Sequence, residues 1–268
     1  MNGTVWIAVN VFRESVRDKV LYNLVLFAIL MLGVSFLIGQ LTAGQDMKIL
    51  KDLGLASTSI FGLFIAVFIG TQLVYKEVER RSIYSLLSKP IARRQLIVGK
   101  YLGLVLTLGV NLSIMTIAFY AVVAYESWVL GPDAAAAWET PALDPAMLKA
   151  IALIFVELSI VTAIALFFST FSTPILSAAL TFAMFVAGRF SEDLRNFDEV
   201  VESPLAATLA QWIYWLLPNL APFDVRSEVV YGQPVPLGYL ALTAAYGLFY
   251  IAALLVAASI IFSRRDFK

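Results

Sequence analysis

An all-α membrane protein is the fold class this sequence predicts, and three observations carry it. Hydrophobic residues make up 60% of the 268 and mean hydropathy is +0.85, far above the roughly 45–50% apolar usage of soluble domains. Charged residues are only 14% of the chain, and they cluster, leaving long intervals with almost no charge. Those intervals have the length of a membrane-crossing helix, which needs about 20 largely apolar residues. The chain has no cysteine and no histidine, which removes disulfides, thiolate chemistry, haem or zinc ligation by these residues and the usual nucleophile–base pairs.

The N-terminal segment comes first. Val5, Val9, Phe12 and Val16 recur at helical spacing, with Asn10, Arg13, Glu14, Arg17 and Asp18 on the other face, so residues 4–19 read as an amphipathic helix on the inner membrane surface. A cleavable signal is not expected, because the apolar run that follows has full span length and no small-residue cleavage pattern succeeds it. Intervals of span length run from Lys19 to Asp46, Asp52 to Lys76, Lys100 to Glu126 and Glu228 to Arg264. The interval from Lys149 to Arg189 contains one charge, Glu157, and is too long for a single crossing of a hydrocarbon core about 30 Å thick. It must turn back. "STFSTP", Ser169 to Pro174, supplies the turn, with a proline suited to the first turn of the next helix. Six transmembrane helices result, at about 20–41, 55–75, 101–125, 148–168, 174–190 and 237–262.

One further stretch, "PLAATLAQWIYWLLPNLAPF" from Pro204 to Phe223, is charge-free but carries three prolines and is not read as a span. A re-entrant hairpin in the outer leaflet accommodates it, and so does an interfacial helix with Trp212, Tyr214 and Trp215 at headgroup level. The chain thus reads as one transmembrane domain, 1–268, with the interfacial helix at 4–19, a cytoplasmic loop at 76–100 and an outer loop at 191–236. Orientation follows from Lys and Arg. With the N-terminus inside, inner segments hold 13 of the 19 cations and outer segments six, while 13 of the 19 carboxylates fall outside. Both termini are therefore expected in the cytoplasm.

The loop between spans two and three concentrates charge. Ile83, Leu86 and Leu87 share a helical face, preceded by Glu77, Glu79, Arg80 and Arg81, and the run stops before Pro90, which disfavours helix at Lys89. Topology and contact with anionic lipid account for the arginines. They leave the two glutamates and the ordered apolar face unexplained. Glu-x-Glu, then small and apolar residues, then "LLSKPIARRQLIVGKYLG" resembles the loop of permease subunits of ABC-2 type transporters, where a coupling helix follows the second span. The six-span layout, the N-terminal amphipathic helix, the long outer segment before the last span and the terminal "RRDF" are similar to that family too, so the resemblance covers essentially the whole chain. One departure is that the family commonly has Gly-Thr where this chain has Arg81-Ser82.

The resemblance implies a permease subunit of an ATP-driven exporter in a bacterial cytoplasmic membrane. It implies a second permease chain, identical or not, and a separate ATP-binding cassette subunit that holds ATP and Mg. On this expectation the chain itself has no catalytic residue and binds no cofactor. Glu77, Glu79, Arg80 and Arg81 would pair with the ATP-binding partner, and Ile83, Leu86 and Leu87 would fill its groove. Membrane lipid is the other expected partner, and nucleic acid is not one. The residues agree on one point directly: Gly99-Lys100 lacks both the upstream glycine and the following Ser or Thr of a G-x-x-x-x-G-K-[ST] phosphate loop.

Glu157 lies near the middle of span four, where an ionised carboxylate needs a partner or a proton. A substrate contact or gate is one reading. The other is a neutral side chain bonded to span three through Asn111, Ser113 or Thr116, and the sequence leaves both open. Thr71, Gln72 and Thr107 read as packing contacts, and Gly99 with Gly103 as a small-xxx-small site serving folding or a dimer seam. Two other classes compete with the permease: a membrane scaffold or regulatory subunit that docks a partner without transport, and an ion-coupled carrier, for which one intramembrane Glu is few polar sites.

Overall fold

The computed structural model describes residues 3–17, 19–39, 46–79, 93–135, 141–191 and 217–264. Among these residues the regular elements are helical and none is a strand. In chain order they are α1 (Gly3–Arg17), α2 (Lys19–Gly39), α3 (Asp46–Glu79), α4 (Arg93–Ala135), α5 (Ala146–Ser169), α6 (Pro174–Arg189), a 3-10 turn (Ala221–Phe223), α7 (Arg226–Val230) and α8 (Leu237–Arg264). Four of them, α3, α4, α5 and α8, are long and apolar enough to cross a membrane. Shorter apolar helices are Val25–Val34, within α2, and α6.

Two of the long helices overrun their predicted spans. α3 has 34 residues and the apolar run Arg94–Val129 of α4 has 36, about 51 and 54 Å at 1.5 Å per residue, so neither fits within the hydrocarbon. Charge does not stop a helix, because Lys, Glu and Arg are good helix formers. Asp46 to Asp52, expected in a loop, is therefore the first two turns of α3, and Lys76 to Glu79 is its last. The loop expected at 76–100 is correspondingly shorter, since Lys76 to Glu79 belong to α3 and Arg93 to Lys100 to α4. At its far end α4 kinks at Gly131, whose φ of 77° is open to glycine at no steric cost.

The predicted hairpin between α5 and α6 forms as read. α5 ends at Ser169, the amides of Thr170 and Ser172 donate to the carbonyls of Phe167 and Phe168, and Pro174 opens α6. Thr173, extended at φ −74° and ψ 160°, accepts the first helical bond from Ser177. α5 is apolar all round and lies at the centre of the bundle: Leu158, Ile160, Val161, Ile164 and Leu166 are fully buried, against α3, α4, α6 and α8, as a helix without a polar face must be. Hydroxyls in the spans satisfy their own helices. Thr71 donates to the carbonyl of Val67, Thr107 to Gly103 and Thr162 to Leu158, at 2.8–2.9 Å, the packing role expected of them in an apolar medium. The side chain of Gln72 lies outside the described residues.

α1 has three faces rather than two. Ile7 and Val11, each 4% exposed, and Ser15 form the stripe buried in the bundle. The apolar face predicted from Val5, Val9 and Phe12 points elsewhere, with Val5 and Trp6 about half exposed, so it remains available to lipid. The seat of the buried stripe is Gly99 and Gly103 on α4. A Cβ at Gly103 would lie 2.6 Å from the Ala8 carbonyl oxygen and 2.7 Å from Val11, and one at Gly99 would lie 2.8 Å from Ile7. The small-xxx-small pair thus seats the N-terminal helix within the chain. Overpacking of such a contact costs about 1–3 kcal/mol. Because the chain contains no cysteine, a single Ile7→Cys gives a clean label. It should react slowly with a membrane-permeant maleimide in the otherwise native chain and at least several-fold faster when Gly103→Val is added; equal rates would mean that α1 does not rest on this seat.

Candidate functional site

Glu157 stands midway along α5 with no exposed surface, and an ion in that position is tolerated only with a close counter-charge. The partner comes from the next helix. Counting from the turn at 170–173, Glu157 and Arg189 lie nearly the same number of residues up the two arms of the hairpin, within about 5 Å in height at 1.5 Å per residue. The guanidinium spans the remainder: Nε of Arg189 lies 2.8 Å from Oε1 of Glu157, and Nη2 donates to Oε2 at 3.0 Å. The contact is an ion pair with one charge-assisted hydrogen bond, Nη2 to Oε2, and the geometry at Oε1 makes no hydrogen bond with any described residue. Phe185, one turn earlier on α6, places its ring 5.6 Å from the same guanidinium, a cation–π contact.

Arg189 has a third donor, and it faces a different part of the chain. Its Nη1 pairs with Oδ2 of Asp224. Asp224 in turn accepts from Arg226 twice, Nε to Oδ1 at 2.8 Å and Nη2 to Oδ2 at 2.7 Å, and its Oδ1 also takes the Arg226 backbone amide at 3.3 Å. Four charges therefore alternate, Glu157, Arg189, Asp224 and Arg226, two of each sign. Burial alone would raise the Asp224 carboxyl, but the two guanidiniums outweigh it and hold the pKa at about 2. The hydrogen bond to Asp224 raises Arg226 in the reciprocal sense, against its own burial.

The segment bearing Asp224 is tucked into the bundle. Leu220, Phe223 and Val229 are fully buried. The Leu220 amide donates to the Gly188 carbonyl at 2.9 Å. Gly188 is required here, because a Cβ would meet the Pro218 carbonyl oxygen at 2.6 Å. α8 holds the segment from another side, with Tyr246 accepting from the Asn219 amide at 2.9 Å and Tyr239 donating to the Pro222 carbonyl at 2.7 Å. Lys149 of α5 donates to the Val235 carbonyl at 2.9 Å, and Lys48 of α3 sits 5.2 Å above the Tyr231 ring. Residues 217–236, expected in the outer loop with 204–223 re-entrant or interfacial, are thus a plug wedged among α3, α5, α6 and α8. The other part of the predicted re-entrant or interfacial segment, with Trp212, Tyr214 and Trp215, lies outside the described residues.

The expected partners of Glu157 on span three are corrected by this geometry. Asn111 donates to the Thr107 carbonyl, Ser113 to Gly109 and Thr116 to Leu112, so each serves α4 itself. Glu77 and Glu79 lie on the last turn of α3, with side chains outside the described residues, as are Arg80, Arg81, Ile83, Leu86 and Leu87 entirely. Reading the sequence by spans missed Arg189, Asp224 and Arg226, which it treated as loop charges. The signal for Arg189 was present in the equal arms of the hairpin; for Asp224 and Arg226 there was none.

Helices long and apolar enough to cross a membrane, packed around a centre with no polar face, define a multi-pass membrane protein. The family described as "ABC-2 family transporter protein" matches residues 5–267, and the chain belongs to that family, a membrane transport component. No curated protein matches the sequence.

Removing one partner of a buried pair leaves an uncompensated charge and costs about 3–5 kcal/mol. Arg189→Gln should lower the thermal stability of the detergent-solubilised protein by that order, and Arg189→Gln with Glu157→Gln should recover most of it; a double variant as unstable as the single would show that the pair is not the source. The depressed pKa of Asp224 gives a second expectation. A lowered carboxylate pKa contributes stability that is complete above its ordinary value of 3.8 and lost as pH falls toward about 2. The melting-temperature gap between the native chain and Asp224→Asn should be constant from pH 7 to 5 and close below pH 4.

Proposed function

We propose that this chain is the membrane-spanning permease subunit of an ATP-driven exporter, forming the substrate pathway while a separate ATP-binding subunit docks on the 76–100 region. The observation that carries this is the family match, which runs through nearly the whole chain, from residue 5 to 267. Six crossings are consistent with the helices: four of full span length, together with α2 at 21 residues and α6 at 16. The excess of Lys and Arg in the segments holding the termini and the 76–100 region supports placing these in the cytoplasm. We place the protein in a bacterial cytoplasmic membrane, paired with a second permease chain.

The coupling works through differential contact. Glu77 and Glu79 end α3, and Arg93 begins α4, so the intervening segment joins two long helices directly. A partner that pushes this segment in one nucleotide state tilts both helices, provided the two states offer it different contacts. Ile83, Leu86 and Leu87 supply affinity by burial, whereas Glu77, Glu79, Arg80 and Arg81 set register, because exposed ion pairs contribute only about 0–1 kcal/mol each. ATP and Mg belong to the partner. Glu157 on this reading is a structural tie rather than a substrate contact, and its ion pair with Arg189 weighs against an ion-coupled carrier, which needs a carboxylate free to exchange its ion.

The test is co-purification from native membranes in mild detergent, with ATP hydrolysis measured on the complex. The native chain should bring down a stoichiometric ATP-binding subunit, and Leu86→Asp with Leu87→Asp should lose it while inserting normally. Retention of that subunit by the double variant would refute the docking assignment, and absence of any ATP-binding chain at several detergent strengths would favour a scaffold.

A further inference from the structure

The end of the bundle that carries the N-terminus of α4 and the C-terminus of α8 contains a crevice of about 520 Å³ between these two antiparallel helices, within the roughly 300–1,000 Å³ of ligand sites. Its wall is apolar, from Val98 on α4 and Leu255, Val256 and Ile260 on α8, and its polar groups are Arg94, Ser259 and Ser263. Arg94 is exposed and makes no hydrogen bond or ion pair with any described residue. Both serine hydroxyls donate within α8, Ser259 to the Leu255 carbonyl and Ser263 to Ile260, each at 2.7 Å.

We propose that this crevice binds one anionic phospholipid, with its phosphate on Arg94 and an acyl chain along Val98, Leu255, Val256 and Ile260. Three features select this occupant. Val256 and Ile260 are 59% and 50% exposed on a helix long and apolar enough to cross a membrane, so what lies against them is the lipid phase rather than water. The crevice runs from Arg94 and Ser263 at the helix ends to Leu255, about 12 Å further in at 1.5 Å per residue, which is the direction from headgroup to chain. The mouth is basic, carrying the exposed guanidinium of Arg94. Basic pockets between spanning helices are the chemistry that holds anionic headgroups. The inference does not rest on an ATP-binding partner.

The experiment reconstitutes the purified full chain in nanodiscs of phosphatidylglycerol and phosphatidylcholine mixed equally, extracts it into detergent, and counts retained lipid by native mass spectrometry. The native chain should retain phosphatidylglycerol in preference to phosphatidylcholine, and Arg94→Gln should reduce that preference about fivefold, the equivalent of about 1 kcal/mol for one basic residue at a membrane surface. Ile260→Trp, which fills the crevice from an exposed position and keeps Arg94, should lower retention of the bound lipid by at least as much. Equal retention of both lipids by the native chain, or no change in either variant, overturns the proposal. So does an Arg94-dependent thermal shift with millimolar inorganic phosphate when no phosphatidylglycerol is retained, which would make the site one for a free anion.

Discussion

One carboxylate inside an apolar bundle sets the terms for much of this structure. Glu157 cannot remain ionised at the centre of α5 without a counter-charge, and Arg189 meets it with two nitrogens. The pair ties the last residue of α6 to the middle of α5. Having supplied two nitrogens to Glu157, the guanidinium still has one directed away, and Asp224 takes it. The position of the 217–236 plug is thus partly a consequence of charge balance within the hairpin.

The plug also shows how an apolar interior accommodates irregular backbone. Its carbonyls and amides are taken up by side chains from several helices, among them Lys149, Tyr239 and Tyr246, and by the Gly188 carbonyl. Irregular chain at this depth is tolerated where protein satisfies it in this manner. Glycine has the complementary task at the other end of the molecule, where Gly99 and Gly103 let α1 approach α4 closely. The same helix, α4, therefore seats α1 on its glycine pair and lines a crevice with α8 through Arg94 and Val98.

Much of the architecture was legible because membrane helices are specified by local composition. The α5–α6 hairpin follows from an apolar run too long for one crossing and from the turn residues at 169–174. Helix ends were less legible. α3 and α4 run past their apolar cores into Lys, Glu and Asp, since a helix emerging from lipid has no need to stop while its residues favour helix. The second face of α1 was not legible for a related reason. The spacing of Val5, Val9 and Phe12 says nothing of the stripe turned to protein, Ile7, Val11 and Ser15, which fits the shape of α4.

The sequence by itself determined that the chain is helical, membrane-embedded and charge-segregated, and its match along residues 5–267 set the family. These properties depend on local hydropathy and on residue order, which need no knowledge of contacts. Only the tertiary structure decided that Asp224, 35 residues beyond Arg189, joins the Glu157–Arg189 pair. Long-range pairing of that kind depends on the three-dimensional path of the chain, and no local pattern encodes it.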